Sequence, residues 1–203
     1  MYIIEDGRAP NPRRVRIFLA EKNIDIDYRQ IDINELDQKD AAFAQLNPLQ
    51  RVPVLVLDDG LVISESVAIC RYFEALQPVP SLMGATPLDQ AQVEMWNRRM
   101  ELNLLMPIAQ VFRHSHPAMA EMEVPQVPEW AEANRPRVQE VLEIMDAELA
   151  SRPFIAGDKF SIADITGLVA VQFMKPARIP LADSLENVGR WLHEVADRPS
   201  AKA

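Results

Sequence analysis

Cysteine is nearly absent: Cys70 stands alone in 203 residues. One thiol can form no internal disulfide, no Cys-x-x-Cys redox pair and no thiolate zinc cluster, so chemistry that needs sulfur must take it from another molecule. Long apolar runs are missing as well, and nothing approaches the roughly 20 residues that span a bilayer. The opening MYIIEDGR has no basic segment leading into an apolar one, unlike a secretory leader. A cytoplasmic protein is the expectation. Positive charge is also short, with 21 Lys and Arg against 30 Asp and Glu, a net charge of −9, and neither half basic. Such a chain gains little from the counterion release that drives nucleic-acid binding, so neither nucleic acid nor an anionic membrane is an expected partner. His114 and His116 stand two apart with no acidic cluster near them, so no metal site is expected.

What is present falls into two unlike parts. YIIE reads as a short apolar strand that breaks at DGRAPNP. From Pro12 the spacing of Val15, Phe18, Leu19 and Lys22 predicts a helix ending near Asn23, and IDIDYRQIDI then alternates like a half-buried strand. A short helix is expected over Ala41 to Leu46. RVPVLVLDDGLVISES follows, two strands joined by an Asp-Asp-Gly turn, and then a helix from about Ser66 to Leu76. The order β-α-β-α-β-β-α pairs a parallel βαβ half with an antiparallel ββα half, the thioredoxin-like arrangement.

The stretch QPVPSLMGATPLD reads as a linker, and no convincing strand follows it. Long helical patterns run from Leu88 to Ser115, with a kink expected at Pro107, from Val127 to Ser151, from Ser161 to Ala177 and from about Leu185 to Ala196. In the third, Ser161 and Asp164 have capping-box spacing, and Phe160 can staple to Ile165. The fold class is therefore an α/β thioredoxin-like domain over residues 1–77, a linker over 78–87 and an all-α domain over 88–203.

Two features of the first part carry chemistry. Pro53 begins a strand: it either starts it in trans, or, in cis, turns the N–H and C=O of Val52 outward to pair with a bound peptide. Glu65 and Ser66 sit where the last strand gives way to a helix. Unpaired N–H groups and the macrodipole favour a carboxylate there, with the Ser66 hydroxyl as a donor and Glu65 as partner for an ammonium. The same residues also read as an N-cap and a first-turn acid. Cys70, inside the helix that follows, reads as a small core residue.

NPLQRVPVLVLDDGLVISESVAICRYFE resembles the glutathione-binding core of the cytosolic glutathione transferases, and FSIADI resembles the capping box and staple of their helical domain. The resemblance covers essentially the whole chain. It implies that Glu65 and Ser66 hold the γ-glutamyl end of glutathione, that Val52, before Pro53, pairs with the cysteinyl unit, and that Arg51 meets the glycyl carboxylate. The position that carries a Tyr, Ser or Cys in the family falls on Ala9, which has no such group. Asn11 is the neighbouring candidate for a catalytic residue: Asn-Pro reads as an N-cap followed by a first-turn proline, and its amide can donate to a thiolate. Nu-class-like bacterial members resemble the chain here, which leaves open, beside conjugation, a glutathione-dependent disulfide reductase or peroxidase and a noncatalytic glutathione- or ligand-binding protein. Arg13 and Arg14 can add positive potential. Met106, Gln110, Arg113 and His114 follow helical spacing and are expected, with Ala9, to line a second-substrate pocket in the interdomain cleft. The resemblance implies glutathione as co-substrate, a small hydrophobic electrophile or a disulfide as second substrate, and a homodimer with Arg98, Arg99 or Asn103 near its interface.

Overall fold

Ile3 and Ile4 are adjacent and both buried, which a strand permits only when its two faces are both covered. In the computed structural model, which describes all 203 residues, they lie in β1 (Tyr2–Glu5). β1 pairs in parallel with β2 (Asp27–Gln30) and antiparallel with β3 (Val54–Val56), and β3 pairs antiparallel with β4 (Val62–Ser64), in the order β2-β1-β3-β4. This is the expected mixed sheet. Its second strand is shorter than the alternating run, because only Asp27 to Gln30 pair with β1.

The helices of this half are α1 (Pro10–Glu21), α2 (Ala41–Leu46) and α3 (Ser66–Leu76). One face of the sheet gathers Ile4, Val54 and Val56 with Phe43 of α2. α1 and α3 pack together, burying Val15, Phe18, Leu19, Ile69 and Phe73. Lys22, on the apolar face of α1, is also fully buried. Its ammonium donates to the carbonyls of Gln77 and Pro80, both at 2.7 Å, and pairs with Glu74 at 2.6 Å, which fastens the segment after α3 to the end of α1.

The chain divides into two units, Met1–Leu82 with Lys202–Ala203, and Met83–Ala201. The division falls inside the stretch read as a linker. The second unit holds α4 (Pro87–Arg99), α5 (Met106–Ser115), α6 (Pro128–Leu149), α7 (Ile162–Phe173) and α8 (Glu186–Ala196). Where a kink at Pro107 was expected, Met100–Leu105 instead forms a π-helical turn between α4 and α5. Proline cannot donate to the carbonyl a turn before it, and a wider turn takes up the mismatch without breaking the helix.

α7 is buried on all sides, as its apolar sequence requires. Gly167 admits this closeness: a β-carbon there would lie 2.5 Å from Ile155 Cδ1 and 3.2 Å from the Trp191 ring. At its start the Ser161 hydroxyl accepts from the N–H of Ala163, and the Asp164 carboxylate accepts from the N–H and hydroxyl of Ser161, from Ile155 N–H and from Trp191 Nε1, at 2.8 to 3.1 Å. The expected capping box is thus one part of a buried hub that ties α7 to the preceding loop and to α8. No helix is long and apolar enough to cross a membrane.

Candidate active site

The strand register brings the singled-out segments of the first unit to one end of the sheet. Ile4, Val54 and Ser64 are partners in a single row across β1, β3 and β4. β1 and β4 run one way through this row and β3 the other. The chain therefore leaves β1 toward α1, enters β3 from Val52-Pro53 and leaves β4 toward Glu65 and Ser66, all at the same edge. Two strand spacings separate the outer members, about 10 Å, close to the reach of three extended residues.

Each segment arrives with polar groups outside the ladder. The Val52-Pro53 bond is cis, and Val52 lies before the first paired residue of β3. The loop ahead of it is held by Asn47, whose amide donates to the Arg51 carbonyl at 2.8 Å and whose Oδ1 accepts from Leu49 N–H at 3.1 Å. Arg51 is exposed, and Lys39 reaches the side chain of Gln50 at 3.0 Å, so two cationic residues border this loop.

Glu65 precedes α3 with φ of +71° and ψ of 116°, in the left-handed half of backbone space that a residue with a β-carbon rarely occupies, and its side chain makes no cap. The exposed carboxylate of Glu65 and the buried hydroxyl of Ser66 thus flank a helix start that its N-cap side chain does not cap. Both readings of the pair were open in the sequence; the side-chain cap is not made. Ser66 Oγ instead accepts from Arg14 Nη1 at 3.0 Å, and Arg14 is fully buried.

α1 differs from expectation at its start. The helix begins at Pro10, with Ala9 as the N-cap and no side-chain cap, so Asn11 is the second helical residue and not the cap. The reason lies upstream. Asp6 accepts from the N–H, Nε and Nη2 of Arg8, and its carbonyl accepts from Ala9 N–H at 3.0 Å, closing the turn early enough for Pro10 to enter the helix. These bonds to Arg8 hold the Asp6 carboxyl below its ordinary range despite burial. Pro10 and Pro12 carry no N–H, and Arg13 N–H is used by the Ala9 carbonyl. In the first turn this leaves Asn11 exposed, at a helix start that no side chain of the N-cap closes. Burial lowers the affinity of neighbouring Arg13 for its proton.

Of the second-unit residues, Met106, Gln110, Arg113 and His114 all lie on α5. Met106 is exposed, and Gln110 touches its sulfur and accepts from Trp130 Nε1 at 3.1 Å. Arg113 pairs with Glu123 at 3.2 Å. His114 is buried, and its Nδ1 accepts from Val127 N–H at 3.1 Å, while Nδ1 of His116 accepts from Ala118 N–H at 3.2 Å. Met106 and Gln110 are thus the accessible members. Trp130, which joins them from α6, was not legible as a neighbour because 20 residues separate it from Gln110. Cys70 is fully buried and its thiol is pushed up to about 12 by that burial, as fits a small core residue. One open depression in the surface is lined by Ile24, Ile26, Phe73 and Leu76, and another, beside the turn that leads into α1, by Asp6, Arg8, Gln30 and Asp32.

A thioredoxin-like sheet with a proline-marked strand, an uncapped helix start and a following helical unit defines the glutathione-transferase class of fold. Residues 9–76 match the family described as glutathione S-transferase, N-terminal domain, and residues 103–199 match glutathione S-transferase, C-terminal domain. Glutathione S-transferase 2 of Saccharomyces cerevisiae is 37% identical over 100% of this chain and 88% of its own length. The crystal structure of Gtt2 from Saccharomyces cerevisiae covers 100% of this chain and 99% of its own with a TM-score of 0.95 at 36% identity. A glutathione S-transferase domain-containing protein from Marinobacter aquaeolei VT8 covers 98% and 99%, with a TM-score of 0.95 at 33% identity. The chain belongs to the glutathione S-transferase family.

Proposed function

We propose that this chain binds glutathione along the row Ile4–Val54–Ser64 and lowers the pKa of its thiol, so that the thiolate attacks an electrophilic carbon of a small hydrophobic molecule. The observation that carries the reading is the convergence, at one sheet edge, of the Val52-Pro53 backbone, the side-chain-uncapped start of α3 and the start of α1. Glu65 pairs with the ammonium of the γ-glutamyl unit, and Ser66, with the α3 N–H groups, takes its carboxylate. Val52 pairs with the cysteinyl backbone. Arg51, with Lys39 nearby, meets the glycyl carboxylate.

The thiol then faces the start of α1, where Ala9 supplies no hydroxyl. Asn11 is the donor: its amide, its N–H and the helix dipole stabilise the thiolate, whose free pKa is about 8.5–9. In conjugation the sulfur forms a bond to carbon as the leaving group departs with the bonding pair. Met106 and Gln110, the accessible members of the set on α5, contribute a second-substrate surface. Turnover of glutathione with an electrophile panel tests this, with weak activity expected toward aryl halides.

The absence of Tyr, Ser or Cys at position 9 favours a second reading, glutathione-dependent reduction of a disulfide. There the thiolate attacks one sulfur, a mixed disulfide forms and the other sulfur leaves as thiolate; a second glutathione thiolate then attacks the glutathione sulfur of the mixed disulfide, giving glutathione disulfide and the second thiolate. Faster turnover of disulfides than of any electrophile would select it; binding without turnover of either would mark a ligand-binding protein. A homodimer belongs to the proposal, supported by Leu88, Met95 and Leu102, exposed at seven-residue spacing along α4 and the π turn beside Arg98, Arg99 and Asn103. Sedimentation velocity tests it. A cytoplasmic location is part of the same reading.

A further inference from the structure

Arg14 is the fifth residue of α1, one of three arginines in RRVR, yet no part of it reaches solvent. Its Nη1 donates to Ser66 Oγ at 3.0 Å. A guanidinium only donates. Ser66 Oγ is therefore the acceptor, and the hydroxyl proton is directed away from Arg14. Ser66 is also the first residue of α3, at the end where N–H groups are unpaired and the macrodipole is positive.

We propose that Arg14 is a positioning residue that turns the Ser66 hydroxyl into an oriented, polarised donor for the α-carboxylate of the γ-glutamyl unit, so that preference for a ligand bearing that carboxylate depends on Arg14 as much as on Ser66. The inference rests on the glutathione reading above. Three observations carry it. The Arg14–Ser66 bond is buried, where a charged donor acts at low dielectric and holds its partner in one orientation. It joins α1 to α3 across 52 residues of chain, so the two helix starts that face the sheet edge are fixed to each other. The bond to Ser66, the first residue of α3, sets the guanidinium beside the first turn of that helix, close enough for its charge to oppose the rise that burial gives the Cys70 thiol one turn further on. A cation under a helix start adds to the dipole's pull on an anion above it.

The test is calorimetric titration with two ligands, glutathione and its decarboxylated analogue, in which γ-aminobutyrate replaces the γ-glutamyl unit. The ratio of their dissociation constants is measured for the wild-type chain, Arg14→Met, Arg14→Lys, Ser66→Ala and the Arg14→Met/Ser66→Ala double variant. Wild type is expected to prefer glutathione, and Arg14→Met to reduce that preference roughly 10- to 100-fold, the range for one charge-assisted bond. Arg14→Lys recovers part of it, because the charge stays while the fixed fork is lost. The double variant should fall within about twofold of Ser66→Ala alone, since one residue acts through the other.

A merely structural Arg14 would weaken both ligands equally and leave the ratio at its wild-type value, and that overturns the proposal. Should Arg14→Met not fold, Arg14→Lys decides: an intermediate ratio supports the role and an unchanged ratio refutes it. The two readings fail differently. If Ser66→Ala keeps the wild-type ratio, the assignment of the α3 start falls and this inference with it; if Ser66→Ala abolishes the preference and both Arg14 variants retain it, only the role of Arg14 falls.

Discussion

α3 and α7 both begin beside a serine, and the two beginnings are finished in opposite ways. At α7, Ser161 and Asp164 satisfy each other, and Asp164 also binds Ile155 N–H and Trp191 Nε1, so the start is closed by the protein's own atoms. At α3, Glu65 holds a left-handed backbone and caps nothing, and Ser66 accepts from a buried arginine. Every helix start has the same unmet donors. One start meets them internally and becomes a folding element; the other is left without a cap from its N-cap side chain, and there the proposal places an anion from outside. α8 follows the first pattern in another way, since Asp146 of α6 accepts from Val188 N–H and from the Asn187 amide.

The difference can be broken at either end. Asp164→Ala should have the largest effect, about 3–5 kcal/mol of stability, because several buried donors lose their acceptor at once. Denaturant unfolding measures it, and a loss below about 1 kcal/mol would mean that the hub at α7 is not a stability element. A pH effect follows from the same carboxyl. Burial pushes Asp164 up to about 6 from an ordinary 3.8, its four donors pulling the other way. The folded chain therefore holds this proton more tightly than the unfolded chain, so the contribution is full below about pH 4 and is lost as pH rises through 6. The expected decline is up to about 3 kcal/mol between these limits. It should vanish in Asp164→Ala, and stability that instead rises through this window in the wild type, by an amount that Asp164→Ala removes, would reverse the assignment.

At the open start the expectation is inverted. Ser66→Ala should weaken glutathione binding by roughly 1–3 kcal/mol while costing the fold less than Asp164→Ala does. An unchanged dissociation constant would make α3 an ordinary helix end. The smallest effect belongs to α1: Asn11→Ala should lower turnover about tenfold with folding intact, because its amide is lost and its N–H remains. Full-rate turnover would remove the side chain from the mechanism.

Much of this was legible in the residues. Periodicity marks the sheet and nearly every helix, and the polar triplet after VLVLDDGLVI marks the helix start on which the proposal rests, because backbone needs and local chemistry are written within a few positions. The misread points depended on something farther away. Asn11-Pro12 has the form of a cap and a first-turn proline, but the Asp6–Arg8 turn lets the helix begin at Pro10. A proline in a helix marks a disruption, but its residue type alone does not say that the six residues ahead of it widen into a π turn. Nothing in RRVR separates Arg14 from its neighbours; its burial comes from α3, more than 50 residues on. Asp164 was legible as a capping residue and not as a partner of Trp191, for the same reason.

Crystals of the chain grown with glutathione would look at the open start directly. The expected result is the γ-glutamyl carboxylate within about 2.7–3.2 Å of Ser66 Oγ and the first α3 N–H groups, with the cysteinyl backbone beside Val52. Glutathione bound elsewhere, or bound at this edge with its carboxylate turned away from α3, would contradict it.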